Sequence, residues 1–290
     1  MNRIAIVTDS NSGITQKEAS ELRGVYVIPM PFTIDGEEYF EDINLTQEQF
    51  YQKLTQDAEI STSQPSIGYI TELWDNILKE YDYILHLPMS SALSMSCETA
   101  RNFAESYNGK VLVVDNKRIS VTLKQAVYDA QTLIKQGKSA QEIKDILEKT
   151  ALDSSIYIMV DTLKYLKKGG RITPAAAAIG TILRIKPVLQ IQGGKLDQYA
   201  KARNERDAIK RMIDAVKRDL ENRFKDFREK GELELFIAYT NCRDKAEMFA
   251  KQIQEEIPDL KLTHIDPLSL SVACHIGSGA FALACCRIIK

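Results

Sequence analysis

The first half of the chain alternates short, continuously apolar runs with stretches whose apolar residues recur at helical spacing. The apolar runs, each bounded by turn or cap residues, are residues 4–7, 25–28, 83–87 and 111–114. Capping boxes, in which two side chains satisfy free amides at a helix start, are predicted at Thr15-x-x-Glu18 and Thr46-x-x-Gln49, and Ser139-x-x-Glu142 predicts the start of another helix. Buried runs that alternate with helices predict an α/β domain with a mostly parallel sheet and helices on both faces.

One hairpin interrupts this alternation. Asp35-Gly36 is a two-residue turn signal, which predicts that residues 32–34 fold back onto residues 38–40. Farther along, residues 119–134 place apolar side chains on one helical face, and Gly137 predicts the end of that helix.

The second half mixes strands and helices less regularly, which predicts an α+β domain. Its predicted elements are a strand at 156–160, a small-residue helix capped by Thr173-Pro174, a hairpin across Gly193-Gly194, a helix at 204–230, a strand at 233–239, a helix at 243–256 and a strand at 261–265. A chain of 290 residues is long enough for two ordinary domains. With the boundary near residue 155, the α/β domain spans residues 1–155 and the α+β domain spans residues 156–290.

Composition narrows the classes of partner and compartment. Lys plus Arg number 38 and Asp plus Glu 40, so the net charge of −2 argues against nucleic acid as the main partner. The N-terminus lacks a signal-peptide core, and no apolar run is long enough to span a bilayer, so we expect a cytoplasmic protein. Five cysteines without a C-x-x-C pair indicate neither a disulfide framework nor a zinc site.

Several catalytic motifs are missing or incomplete. The stretch Gly277-Ser278-Gly279-Ala280-Phe281-Ala282 matches a dinucleotide-binding pattern, but only eight residues follow it, too few for the rest of the unit. The sequence has no Walker A loop, no H-E-x-x-H and no G-x-S-x-G. We therefore expect no metal and no catalytic residues.

Two Ser/Thr-rich loops lie where a strand ends and a helix begins. Residues 61–66 precede one predicted helix, and residues 90–96 join strand 83–87 to a helix at 97–107. Helix N-termini at the carboxyl ends of parallel strands favour anions, so the loops could form one anion site. Either loop could instead be a simple helix cap, because Ser and Thr begin helices routinely.

Histidine and cysteine offer weaker candidates. His86 lies inside an apolar strand and His264 near a strand end, so we expect both to be structural. His275 stands beside the glycine-rich turn and could donate to an anion. Cys97 stands at a helix start, where the thiol pKa could be lowered, although no paired base is evident.

At this point six motifs, taken together, resemble the DegV family of bacterial fatty-acid-binding proteins, which includes the FakB subunits of fatty acid kinase. In chain order they are Ile6-Val7-Thr8-Asp9-Ser10, Thr62-Ser63-Gln64-Pro65-Ser66, Ser90-Ser91-x-Leu93-Ser94, Gly170-Arg171-Ile172, Lys186-Pro187 and His275-Ile276-Gly277-x-Gly279-Ala280. The resemblance covers nearly the whole chain.

The resemblance implies a long-chain fatty acid held between two α/β domains. Its carboxylate would be hydrogen-bonded by Thr62 and Ser94, with His275 close by, and no other cofactor is implied. In FakB members the acid is presented to a separate kinase, which makes an acyl phosphate for phospholipid synthesis. The arginines tied to that step match Arg171, after a basic stretch expected to be flexible, and Arg203. Such a carrier is not itself an enzyme, and transient membrane contact is compatible with it.

The chain departs from the family pattern at three positions. Ala92 and Met95 stand where the serine-rich loop usually has Gly, and Ser278 replaces the usual Pro of the last motif. These changes bear on the preferred chain length and saturation more than on carboxylate binding.

Two other functions remain open. One is a stand-alone lipid-sensing regulatory protein; the other is an acyl hydrolase or phosphotransferase with Ser94 as nucleophile and His275 as base. Residues 175–182 have small apolar side chains on every helical face, which predicts a buried helix that lines part of the acyl tunnel.

Overall fold

A computed structural model describes residues 2–54, 58–178 and 185–290 of the chain. Its strands are β1 Ile4–Asp9, β2 Val25–Ile28, β3 Phe32–Ile34, β4 Glu37–Tyr39, β5 Ile60–Thr62, β6 Tyr83–Leu87, β7 Val111–Val113, β8 Ser154–Met159, β9 Lys186–Ile191, β10 Asp197–Ala202, β11 Leu233–Tyr239, β12 Leu262–Pro267 and β13 Phe281–Arg287. Its helices are α1 Gln16–Glu21, α2 Gln47–Lys53, α3 Ile67–Ile77, α4 Ser96–Ala104, α5 Val121–Lys135, α6 Ala140–Lys149, α7 Lys164–Gly169, α8 Pro174–Ala178, α9 Glu205–Glu221, α10 Lys225–Glu229, α11 Arg243–Glu256 and α12 Leu270–Ile276.

The elements form two compact units. Unit 1 comprises Met1–Thr46, Glu59–Leu152 and Ile289–Lys290, and unit 2 comprises Gln47–Ala58 and Asp153–Ile288. The main division lies between residues 152 and 153, whereas the boundary was expected near residue 155. Two segments cross this division: residues 47–58 belong to unit 2, and residues 289–290 belong to unit 1. Long-range hydrogen bonds account for both: Gln47 Nε2 donates to the Leu268 carbonyl at 3.1 Å, and the Ile289 amide donates to Asp129 Oδ1 at 3.0 Å.

Unit 1 is built on a four-stranded sheet with the order β2-β1-β6-β7, in which all neighbouring strands are parallel. Every residue of β1 is buried, as expected of a strand that helices cover on both faces. Ala5 and Val7 pack with α3 and α4 in one core cluster, while α5 and α6 contact the sheet from the other face. The predicted parallel α/β architecture is confirmed.

Two local features predicted for unit 1, a capping box and a hairpin, are present in the structure. Thr15 Oγ1 accepts the Glu18 amide and the Glu18 carboxylate accepts the Thr15 amide, so this capping box is confirmed. The hairpin of β3 and β4 turns at Asp35 and Gly36, whose φ values of 51° and 84° suit the predicted turn. Strand β5, which no sequence pattern indicated, pairs with β3 on the opposite side from β4.

Unit 2 contains a six-stranded sheet with the order β10-β9-β8-β13-β11-β12. Its neighbours are antiparallel except for β11 and β12. Helices α9 and α11 pack on this sheet and contribute to one large apolar cluster, which confirms the α+β prediction.

Two predictions in unit 2 need correction. The helix expected over 204–230 is broken into α9 and α10, because the chain leaves helical geometry at Asn222, where φ is −116° and ψ is −81°. The segment after Gly279, for which the sequence predicts no strand, is β13 in the middle of the sheet.

The small-residue helix is only partly described. In α8 the Thr173 hydroxyl accepts the Ala176 amide at 3.2 Å, which confirms the predicted cap. Ala176 is buried but Ala175 and Ala178 are exposed, so burial on every side is wrong for this part of the helix. Residues 179–182 of the proposed tunnel wall lie outside the described residues.

Within the described ranges, no helix combines the length and apolar character that crossing a membrane requires. No group of three or more His, Cys, Asp or Glu side chains in those ranges is arranged to hold a metal ion.

Candidate functional site

The carboxyl edge of the parallel sheet offers a crevice between β1 and β6. From β1 the chain passes through α1 to β2 on one side, and from β6 it passes through α4 to β7 on the other. Helix α1 lies on the α5 face, since Lys124 Nζ contacts Glu18 Oε1 at 2.8 Å, whereas α4 packs on the opposite face. Connections that diverge in this way leave the loops apart at the strand ends, where ligands of open α/β sheets bind.

Asp9, the last residue of β1, ties the two sides of this crevice together. Its carboxylate accepts the Asn11 amide at 3.0 Å and the Met89 amide, from the loop after β6, at 2.9 Å. Burial raises the pKa of Asp9 to about 6, and the two amide donors only partly offset that rise. Asp9 is therefore a structural link whose charge is poorly solvated.

Ser94 lies in the loop after β6, just before α4. Its amide donates to the Ser90 carbonyl at 3.2 Å, and its Oγ accepts the Ser96 amide at 3.2 Å. Since the hydroxyl acts as an acceptor there, its own proton is available for a further acceptor such as a carboxylate. Ser94 is half-buried, so it is reachable without being fully solvated.

Thr62 is the last residue of β5 and lies opposite Phe32 in the small sheet. It is half-buried and is not the cap of α3; that role belongs to Ser66, whose hydroxyl accepts the Tyr69 amide at 3.2 Å. The Thr62 loop also reaches the helix after the Ser94 loop, because Thr99 Oγ1 donates to Gln64 Oε1 at 3.0 Å. Unit 1 thus holds both serine- and threonine-rich loops close to one helix start.

An apolar groove of about 440 Å³ adjoins the Thr62 loop within unit 1. Its lining is mostly Pro, Phe, Ile and Tyr, with Glu38, Gln64 and two serines as polar members. One wall includes Ile43, which is 58% exposed. Apolar surface beside a hydroxyl loop suits a molecule with one polar end.

A charged cluster beside the Ser94 loop escaped the sequence reasoning. Ser91 Oγ donates to Asp115 Oδ2 at 2.6 Å, and Lys117 Nζ lies 2.6 Å from Ser91 Oγ and 2.5 Å from Asp115 Oδ2. Burial alone would raise the pKa of Asp115, but hydrogen bonds from Lys117 and Ser91 outweigh it and lower that pKa. Lys117 Nζ contacts both Ser91 and Asp115. The one sequence feature that pointed to this cluster is Asp115, a polar residue directly after the apolar run 111–114.

His275 and Arg171 come together in unit 2 around Gly169. A Cβ built on Gly169 would lie 2.1 Å from His275 Nδ1, so the imidazole occupies the space of the missing side chain. Arg171 Nη1 donates to the Gly169 carbonyl at 2.5 Å. Burial, and to a lesser extent the charge of Arg171, lower the pKa of His275 to about 4. His275 is therefore neutral at pH 7 and can donate one N–H.

Arg203 lies apart from this pair in its described contacts. It is exposed between β10 and α9, and its amide donates to Asp207 Oδ2 at 2.9 Å. The basic stretch before Arg171, expected to be flexible, is instead the end of helix α7.

Two other candidates are settled by burial. Cys97 lies in the first turn of α4, but burial raises its thiol pKa to about 12, so the suggestion of a lowered pKa is wrong. His86 is buried in β6 with its ring 5.4 Å from Trp74, which confirms a structural role.

Known proteins of the same architecture cover nearly the whole chain. A family model described as an uncharacterised protein of the DegV family matches residues 3–287. A DegV domain-containing protein of Streptococcus pneumoniae is 31% identical over 294 residues, which cover 99% of this chain and 100% of that protein.

Two solved structures extend the likeness to the fold. A fatty-acid-binding DegV family protein from Thermus thermophilus matches with a TM-score of 0.88 at 28% identity, covering 99% of this chain and 100% of its own. DegV from Bacillus subtilis, described as a fatty acid binding protein, matches with a TM-score of 0.84 at 27% identity and the same coverage. The chain belongs to the DegV family.

Proposed function

We propose that this protein binds a long-chain fatty acid, holds its carboxylate with hydroxyl donors of unit 1 and buries its tail. The observation that carries the proposal is the crevice at the ends of β1 and β6, where the half-buried Ser94 hydroxyl keeps its proton for an acceptor. The two solved relatives described as fatty-acid-binding support it.

Hydroxyls and tail have different tasks in this binding. Thr62 and Ser94 each donate one hydrogen bond to a charged oxygen, which contributes about 1.5–3 kcal/mol. The tail contributes about 0.8 kcal/mol per buried CH₂, on the order of 10 kcal/mol for a long chain before ordering costs. The tail therefore sets affinity, while the hydroxyls set orientation.

We further propose that the protein is a carrier that presents the acid to a separate kinase for acyl-phosphate formation. Arg203 is exposed and Arg171 lies beside neutral His275. A guanidinium binds phosphoryl or carboxylate groups through paired N–H donors, which suits contact with a phosphorylating partner.

A lipid-sensing protein without a kinase partner is the alternative that shares the same site. Copurification with a kinase favours the carrier, and its absence favours the sensor. The hydrolase alternative predicts turnover by the purified protein alone, so steady hydrolysis of ATP or an acyl ester would replace the carrier proposal.

The direct test compares palmitate with hexadecanol by calorimetric titration. The two share a tail, but only palmitate carries the charged oxygens that the hydroxyls recognise. We expect palmitate to bind at least about tenfold more tightly, which corresponds to one charge-assisted hydrogen bond. Octanoate, the matched control for the tail, should bind far more weakly than palmitate. Equal affinity for the acid and the alcohol would contradict the head-group assignment.

A further inference from the structure

The loop that joins β7 to α5 contains a buried polar group without a hydrogen-bond partner among the described residues. Asn116 is 1% exposed, and its Nδ2 has no such partner. Ser120, the last residue before α5, is only 6% exposed, and its side chain makes no hydrogen bond that caps the helix. Both groups can donate a hydrogen bond. Because buried donors without partners are rare, this loop calls for an acceptor.

Helix α5 begins at the same place with free amides. No side chain caps it, and the described hydrogen bonds of its first turn start only at the Leu123 amide, 3.4 Å from the Ile119 carbonyl. The preceding amides belong to Val121 and Thr122, which are 2% and 1% exposed. A buried start of a 15-residue helix without a cap favours an anion, since the helix dipole is positive there.

Two backbone hydrogen bonds place this helix start at the crevice between β1 and β6. The Ser120 amide donates to the carbonyl of Asn11, just after β1, at 2.8 Å. The amide of Ser90, which begins the Ser94 loop, donates to the Arg118 carbonyl at 2.9 Å. The β7–α5 loop therefore extends over β6 to β1, along the same sheet edge as Ser94.

The backbone of Ser120 is itself unusual. Its φ of 54° and ψ of −138° are sparsely populated for residues with a side chain and easily reached by glycine. A glycine would fit this turn with less strain, but it would bring no hydroxyl to the helix start.

We propose that the Ser120 hydroxyl and the first amides of α5 are additional donors to the carboxylate that Ser94 and Thr62 bind. The inference rests on the proposed function and adds a residue to its head-group site. It also explains why the start of α5 is buried without a side-chain cap: the ligand carboxylate accepts hydrogen bonds from its free amides.

Ser120→Gly and Ser120→Ala test this, each titrated with palmitate and with hexadecanol. Both variants should bind palmitate about tenfold more weakly or worse, because each removes one donor to a charged group. Their affinity for hexadecanol should stay within about twofold of wild type, because the tail contacts are untouched. Ser120→Gly keeps the test valid if Ser120→Ala folds poorly, since glycine accepts the backbone angles. Asn108→Gly, at φ 51° elsewhere in unit 1, is the control for strain relief and should bind palmitate like wild type.

Three outcomes overturn the inference. If Ser120→Gly binds palmitate like wild type, the hydroxyl is not a donor and water satisfies the helix start. If palmitate and hexadecanol weaken equally, Ser120 acts through the fold rather than on the carboxylate. If wild-type protein binds no palmitate at all, both the proposed function and the inference are wrong. In the first two outcomes wild-type protein still binds palmitate, so only the inference is wrong.

Discussion

The two units support their candidate site residues in different ways. In unit 1 a parallel sheet brings strand ends and helix starts to one edge, where the Ser94 loop and the start of α5 lie, and Thr62 ends a strand of the small sheet whose loop contacts α4. In unit 2 the mostly antiparallel sheet has no such edge, and His275 is seated by the missing side chain of Gly169. Sheet topology thus positions the loops of unit 1, whereas the close contact between His275 and Gly169 positions the candidate site residue of unit 2.

The histidines of the two units show how burial acts in each setting. His86 of unit 1 lies in the core beside Trp74, and burial lowers its pKa to about 3. His275 of unit 2 is only partly buried, and its pKa of about 4 also reflects the charge of Arg171. Both are neutral at pH 7, but only His275 lies beside other candidate site residues.

The largest expected effect is the acid sensitivity that His86 gives unit 1. Its pKa is lowered in the folded state, so its stabilising contribution is present above pH 6.5 and is lost as pH falls toward 3. A difference of about 3.5 pH units corresponds to about 5 kcal/mol of unfolding free energy over that range. His86→Phe should therefore lose less stability than wild type between pH 7 and pH 4.5 in urea denaturation. Parallel pH profiles for the two proteins would show that His86 is not buried as described.

The next effect tests whether the unit 1 edge holds the head group. Thr62→Ala and Ser94→Ala should each weaken palmitate binding about tenfold or more, and the double variant by about 3–6 kcal/mol. The fold should persist because Thr62 does not cap α3, and Ser94 Oγ accepts a single 3.2 Å hydrogen bond from the first amide of α4. Ser106→Ala, which removes a hydroxyl that donates to the Phe103 carbonyl at 2.8 Å, is the matched control. Wild-type affinity in the double variant would place the carboxylate elsewhere.

Gly169→Ala tests the close approach in unit 2. The added methyl would overlap the His275 imidazole and push it toward solvent, so its pKa should rise from about 4 by about two pH units toward 6.5. An NMR titration of the imidazole protons measures this shift. Gly194→Ala is the control, since a Cβ there meets nothing within 4 Å. An unchanged pKa would mean that the imidazole does not occupy the space beside Gly169.

The smallest expected effect separates binding from presentation. Arg171→Ala and Arg203→Ala should keep palmitate affinity but lower acyl-phosphate formation by a cognate kinase about tenfold, since one charge-assisted contact is lost. Lys at either position restores charge without the paired donors and should rescue only in part. Arg206→Ala, an exposed neighbour, should leave the rate unchanged. Normal rates in both alanine variants would favour the lipid-sensing alternative.

The parallel sheet was predictable because a strand that helices cover on both faces is apolar along its whole length. Strands β2 and β6 begin and end at the predicted residues, 25–28 and 83–87. Thr15 and Ser139 stand at the predicted starts of α1 and α6, and each forms a capping box there. Strand β13 was not predictable in the same way. It consists of two alanines, two cysteines, one Phe, one Leu and one Arg after a glycine-rich turn, and its antiparallel pairing with β8 and β11 identifies it as a strand.

The candidate site was partly predictable for a related reason. Thr62 and Ser94 stand in polar loops between a strand and a helix, so their chemistry was visible in the sequence. Gly169 and Ser120 were not, because their importance lies in a close contact and in a backbone angle that composition does not reveal. Asp115 required the pairing with Lys117 and Ser91 that only the folded chain brings about.

The most direct test of the central claim is mass spectrometry of lipid extracted from the purified, denatured protein. A fatty-acid-binding DegV protein should yield about one long-chain fatty acid per chain, because tail burial of on the order of 10 kcal/mol favours retention through purification. Added palmitate should also raise the melting temperature of protein stripped of its lipid. Extracts without an acyl chain from several preparations, together with an unchanged melting temperature, would contradict the proposed function.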